Sequence, residues 1–94
     1  MKNYYVYIVQ CSDETYYTGI TNNLERRLFE HNEGINRTAY TFRRRPVVLK
    51  YCETFNDPLD AISFEKKVKD WSRKKKEALF RNDWGDIRKL SLKK

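Results

Sequence analysis

The chain is poor in the residues that build metal sites and cross-links. It has two cysteines, Cys11 and Cys52, with no CxxC pair, and one histidine, His31. A structural zinc site takes about four such ligands close in space, so these three residues cannot complete one. The thiols lie 41 positions apart and are expected to be reduced and mostly buried as small hydrophobes. Long apolar runs are also missing. The longest, Tyr4 to Val9, is far too short to span a bilayer, and no basic-then-apolar leader opens the sequence, so a cytoplasmic protein with no membrane partner is expected. Negative charge is scarce: 13 Asp and Glu stand against 20 Lys and Arg, leaving a net charge of +7 that attracts polyanions, nucleic acid first. With no internal repeat or low-complexity linker, the 94 residues are expected to form one domain, 1–94.

What is present suits a small aromatic core. Hydrophobic residues make up 39% and aromatics 15%, so large rings must supply much of the buried area. "NYYVYIVQC" (3–11) is β-branched and aromatic with little polar alternation, which predicts a strand covered on both faces. "SDET" reads as a turn and "YYTGIT" (16–21) as the returning strand. A helix is expected from about Asn23 to Asn32, with Asn22 and Glu25 as a capping box and Gly34 as its stop. Residues 35–46 read as an exposed loop with at most a helical turn, and "VVLKYCETF" (47–55) as a third strand. Asp57 and Pro58 open a second helix that reaches Asp70 or Trp71, and Ser72 caps a third over 72–82. Trp84 is expected as an aromatic anchor and 86–94 as a frayed basic tail. The order β-β-α-β-α-α predicts an α/β sandwich with a small three-stranded central sheet flanked by helices.

Two helix faces hold residues that packing alone does not explain. On the first, His31 shares the narrow arc of Leu24 and Leu28, with Arg27 just beyond it and Arg26 and Glu30 on the opposite side. Arg27 snorkelling beside a core-edge histidine is the plain alternative to a functional pair. On the second helix Glu65 falls inside the arc of Ala61, Ile62, Phe64, Val68 and Trp71, and a carboxylate there must be paired, protonated or bound to a metal. The run "KKVKDWSRKKK" (66–76) carries seven cations in eleven residues, which is either a solvated face or, with "RRR" at 43–45, a clamp for phosphates.

Together these residues resemble the GIY-YIG nuclease superfamily, and the wording "YVYIVQC…YYTGITNNLERRLFEHN" is most similar to its small stand-alone bacterial group. The first motif corresponds to "YVY" at 5–7 and the second to "YTG" at 17–19. An arginine ten positions after the second-motif tyrosine matches Arg27, a histidine four later matches His31, and a downstream helical glutamate matches Glu65. The likeness covers about residues 3–80. It implies a GIY-YIG-like sandwich and a metal-dependent endonuclease that hydrolyses DNA phosphodiester bonds, with a role in DNA repair or recombination. The alternative is a nucleic-acid-binding module whose active site is vestigial, and a weaker third reading is an adaptor in a larger repair assembly.

By the same resemblance the catalytic set is Tyr7, Tyr17, Arg27, His31 and Glu65, with Glu65 holding one Mg²⁺ or Mn²⁺. Tyr17 would draw a proton from the attacking water, Tyr7 would orient water or phosphate, and Arg27 would brace the phosphate. Arg43, Arg44, Arg45, Lys66, Lys67, Lys69, Arg73, Lys74, Lys75 and Lys76 are the expected nucleic-acid contacts. Tyr5, Thr18 and Ile20 depart from the family pattern, and Asn82 is the one candidate for its late asparagine. Tyr5 and Thr18 replace no catalytic group, whereas Ile20 and the weakly placed Asn82 point to weak or partner-dependent activity; the expected partner is DNA, branched or damaged, with RNA kept open, and the expected state a monomer. A mechanism that uses both Tyr7 and Tyr17 also needs them on one face of the hairpin. Cross-strand pairs must then sum to an even number, which a two-residue turn at Asp13 and Glu14 would not give. A three- or five-residue loop, or a bulge, is predicted within "CSDETY".

Overall fold

The computed structural model describes residues 3–92. Three antiparallel strands, β1 (Tyr4–Gln10), β2 (Tyr16–Thr21) and β3 (Val48–Phe55), lie in the order β2-β1-β3. The first strand of the chain is thus the central one, which explains its lack of polar alternation: Val6, Tyr7, Ile8 and Val9 are all fully buried. Helices α1 (Leu24–Glu33), α2 (Pro58–Lys69), α3 (Arg73–Phe80) and α4 (Trp84–Leu92) flank the sheet. This is the α/β sandwich expected, with one helix more. Among the described residues no helix is long and apolar enough to cross a membrane.

The two faces of β1 feed separate cores. Ile8 meets Val68, Ala78, Leu79 and Ile87 on the side of α2, α3 and α4. Tyr7 and Val9 meet Cys11, Val47, Tyr17, Leu24 and Leu28 on the side of α1. Alternation along the strand therefore sends Tyr7 and Ile8 into different layers. Both cysteines are free, Cys11 buried and Cys52 half-buried.

The hairpin has the register that a shared tyrosine face requires. Tyr7 pairs with Gly19 and Val9 with Tyr17, so Tyr17 is the diagonal neighbour of Tyr7 on one face. A three-residue loop, Ser12 to Glu14, produces the even sum. The Cys11 N–H donates to the Thr15 carbonyl at 2.8 Å, the Glu14 N–H donates to the Cys11 carbonyl at 2.9 Å, and Glu14 takes the left-handed φ of 69°.

Three local expectations are corrected. The cap of α1 is Asn23 and not Asn22: its side chain accepts the Arg26 N–H at 3.1 Å, while its own N–H is held by Thr21 Oγ1 at 3.1 Å. That threonine bond sets where the chain leaves β2, and the box with Glu25 is lost by one position. The helix ends as expected at Gly34, whose left-handed φ of 69° lets Gly34 and Ile35 return N–H bonds to His31 and Glu30. The C-terminal stretch is not a frayed tail through 86–92. Asp83 caps α4 by accepting the Asp86 N–H at 3.0 Å, and Ile87 and Leu90, one turn apart, pack on the second core. Trp84, expected as the anchor, stays 45% exposed, and residues 93–94 lie outside the described region. The segment before β3 is only partly the open loop expected. It carries a helical turn, Phe42–Arg44, but folds inward at Thr41, which is 1% exposed.

Candidate active site

Tyr7 stands in the middle of the central strand, and its ring lies across β2 over Gly19. A Cβ built at Gly19 would run into the Tyr7 hydroxyl and come within 2.6 Å of its Cζ, so a residue without a side chain is required opposite Tyr7. The Tyr7 hydroxyl then reaches His31 Nε2 at 2.9 Å, and His31 Nδ1 meets Thr41 Oγ1 at 2.7 Å. This buried chain joins three elements: β1, the last turn of α1 and the segment before β3.

Both ionisable members of the chain are neutral at neutral pH. Burial, reinforced by the nearby Tyr17, pushes Tyr7 up to about 12 against the pull of Arg27. Burial, and then repulsion from Arg27, holds the His31 imidazole below its ordinary value. A neutral imidazole has one donor and one acceptor. The Arg27 charge favours the Tyr7 phenolate, but burial outweighs it and Tyr7 keeps its proton. Two tautomers serve both ring nitrogens: either the Tyr7 O–H donates to Nε2 and Nδ1–H to Thr41, or the Thr41 O–H donates to Nδ1 and Nε2–H to Tyr7.

Arg27 and Tyr17 line the open side of this cluster. A cleft of about 300 Å³ is bounded by Tyr17, Arg27, Glu30, His31 and residues of the segment from Gly34 to Phe42. Arg27 Nε lies 3.5 Å from Glu30 Oε1, and Arg26 Nε lies 3.3 Å from Glu30 Oε2. Glu30, which helical geometry placed away from the apolar stripe, swings round and half-neutralises the cleft's cation. The Tyr17 ring sits edge-on to His31 at 5.4 Å and tilted to Tyr7 at 6.4 Å. Its outer face stacks on Tyr40 at 6.0 Å, and the Arg44 guanidinium covers Tyr40 at 3.9 Å from the ring centroid.

The sequence-expected residues are thus brought together in part. Tyr7, Tyr17, Arg27 and His31 form one cluster. Glu65 lies on α2 and lines neither that cleft nor its neighbouring cavity; its side chain is 14% exposed, with Lys69 Nζ at 3.7 Å as its ion-pair partner. Lys69 in turn lines a second cavity that shares Tyr17 with the first, so Glu65 belongs to the β2 side of α2. Among the described residues no three His, Cys, Asp or Glu side chains converge as a metal cage. Asn82 lines neither cavity: it takes a φ of 57° after α3 and accepts the Trp84 indole N–H at 2.9 Å.

The cationic runs divide once their contacts are known. Arg44 donates to the Tyr40 carbonyl and to Asp13, and Arg45 donates to the Phe42 carbonyl while covering its ring. Arg73 spans the Glu14 carbonyl, Glu77 and the Tyr16 ring, and Lys75 lies over Trp71. Arg43, Lys66, Lys67 and Lys74 are exposed on the surface. Sequence reasoning missed Thr41, Tyr40, Glu30 and Gly19. Of these only Gly19 left a signal, as the glycine of the "YTG" motif.

A model of the GIY-YIG catalytic domain matches residues 3–78 of the chain. The UPF0213 protein of Halobacterium salinarum is 46% identical over 77 residues, which is 82% of this chain and 99% of that protein. A UPF0213 protein of Staphylococcus haemolyticus is 46% identical over 76 residues, covering 81% of this chain and 92% of its own length. Among solved structures, the solution NMR structure of a UPF0213 protein from Bacillus halodurans superposes with a TM-score of 0.57 at 36% identity, over 97% of each chain. That of an E. faecalis protein gives 0.62 at 36% identity, over 87% of this chain and 86% of the other.

Proposed function

The chain belongs to the GIY-YIG catalytic domain family, a nuclease superfamily, and on that premise we propose that it is an endonuclease that hydrolyses DNA phosphodiester bonds with one divalent metal ion. The observation that carries this reading is the meeting of Tyr17, Arg27 and His31 at one open cleft, with Tyr7 buried behind them on His31. A phosphate clamp alone has no use for a buried tyrosine–histidine–threonine chain behind its cation.

Glu65 fits a hard cation. Its carboxylate is largely buried, yet its partner lies at 3.7 Å, beyond hydrogen-bond length, so its oxygens stay available for a Mg²⁺ or Mn²⁺ whose other ligands are water. Such an ion supplies Lewis-acid stabilisation of the departing 3′ oxygen. The protein's own groups do the rest. Arg27 faces the cleft and presents a planar fork of donors to the non-bridging oxygens, where charge accumulates in the transition state. Tyr17, open to the cleft, takes the proton of the attacking water in this reading. Neutral His31 fixes Tyr7 and the edge of Tyr17, so the tyrosine pair is held before substrate arrives. DNA is the proposed partner, and the activity is that of a monomer.

Nicking of supercoiled plasmid with Mg²⁺ or Mn²⁺ tests this. Wild type is expected to nick, and Glu65→Ala and Tyr17→Phe to lose about 100-fold or more, as removal of a transition-state contact does. Unchanged cutting in both variants would sink the mechanism. Duplex binding at low salt with no cutting by wild type would instead establish the vestigial binding module.

A further inference from the structure

A second cavity, of about 370 Å³, lies on the far side of Tyr17 and is lined by Tyr16, Tyr17, Thr18, Tyr40, Lys69 and Lys76. No carboxylate lines it. We propose that this cavity is a subsite for one nucleic-acid phosphate, bound by Lys69, Lys76 and the Thr18 hydroxyl, and that it seats the phosphate adjoining the one Arg27 holds.

Three independent observations lead there. Thr18 is 4% exposed and its Oγ1 is buried without a hydrogen-bond partner. A buried hydroxyl in that state costs about 1–3 kcal/mol, and an acceptor entering the cavity relieves it. The neighbouring Tyr16 hydroxyl is already spent, donating to Glu77 Oε2 at 2.9 Å.

The two lysines also differ from the rest of their run. Arg73 and Lys75 are committed to Tyr16 and Trp71, while Lys66, Lys67 and Lys74 lie outside the cavity. Lys69 touches Glu65 only at 3.7 Å and keeps its three donors largely free. Lys76 is half-buried, and burial pulls its ammonium below the ordinary range against a weaker opposing pull from Asp70. An anion beside it would reverse that cost.

The cavity finally adjoins the cleft, with Tyr17 as their shared wall. Arg27 and His31 lie on one side and Lys69 and Lys76 on the other. A strand crossing the β2 edge would place consecutive phosphates on either side of one tyrosine ring. The binding half of this inference stands without the nuclease reading, and only the adjacency rests on it.

The test is an NMR titration of ¹⁵N-labelled protein with inorganic phosphate, against chloride at equal ionic strength. Saturable shifts are expected at the Thr18 and Lys76 amides, abolished in Lys76→Met, weakened in Thr18→Val and unchanged in Lys66→Met. Thr18→Val should also keep or raise stability in phosphate-free buffer but gain less from added phosphate than wild type. Shifts that never saturate, that chloride reproduces, or that survive Lys76→Met overturn the subsite. Plasmid nicking separates the two readings. A raised KM and a salt slope lower by about 0.7–0.9 in Lys76→Met support adjacency, and an unchanged KM refutes it. Saturable phosphate binding by a protein that never nicks would leave the subsite standing and remove the nuclease.

Discussion

The hydroxyl of Tyr7 lies 2.9 Å from Nε2 of His31, across 24 residues of sequence, and ties the central strand to the last turn of α1. The bond is wholly buried, so it acts as a strut for the cleft and not as a surface contact. Removing its hydroxyl by Tyr7→Phe leaves a ring nitrogen unsatisfied in the core. The expected cost is about 1–3 kcal/mol, seen as a lower urea midpoint, with nicking reduced further than the stability loss explains.

Gly19 faces that same ring. Gly19→Ala sets a methyl group against the Tyr7 Cζ and hydroxyl, and overpacking of this kind costs about 1–3 kcal/mol. The ring must move off His31 to make room. A crystal structure of the variant should show the Tyr7–His31 bond lengthened or broken, and an unchanged bond would refute the packing account.

The suppressed basicity of His31 sets a pH signature. Burial and Arg27 hold the folded value below the ordinary one of 6.5, so the unfolded chain takes up this proton at higher pH than the folded chain does. The stability that neutral His31 carries is therefore full above about pH 6.5 and is lost as pH falls through that value, levelling off below the folded value. Urea denaturation from pH 8 to pH 5 should show this decline, and His31→Gln should flatten it. An equal decline in the variant would assign the effect to other groups.

The three consecutive arginines should separate by function. Arg43 is exposed, and Arg43→Ala is expected to leave stability within about 0.5 kcal/mol while lowering the salt slope of duplex binding by about 0.9 if it meets a phosphate. Arg44 covers Tyr40 and bonds Asp13, so Arg44→Ala should loosen the Tyr17–Tyr40 stack and weaken nicking more than binding. Thermal melts, filter binding at several salt concentrations and the plasmid assay distinguish the two. Identical behaviour of both variants would contradict the division.

Much of the fold was legible because its signals are local. The unbroken apolar run 3–11 marked the strand buried on both faces, and Asp57, Pro58, Ser72 and Gly34 marked helix ends by their own backbone chemistry. The even cross-strand sum followed from pleat geometry once Tyr7 and Tyr17 were required on one face, and the three-residue loop supplies it. Where a neighbour outside the local window decides, the local signal failed. The second core drew Ile87 and Leu90 into α4 and left Trp84 outside; the α1 cap is a different case, set at Asn23 by a bond to Thr21 only two residues away.

The same division holds for the candidate site. Helix periodicity singled out Arg27, His31 and Glu65 by the face each occupies, and the family resemblance added Tyr7 and Tyr17. Only the tertiary structure decided what those faces meet: Thr41 on the far nitrogen of His31, Tyr40 on Tyr17, Glu30 on Arg27 and Gly19 beneath Tyr7. It also decided which cations are free, since Arg44, Arg45, Arg73 and Lys75 are held by groups distant in sequence or by rings. Charge and periodicity are properties of the chain, whereas desolvation and hydrogen-bond partnership arise only when separate segments close on one another.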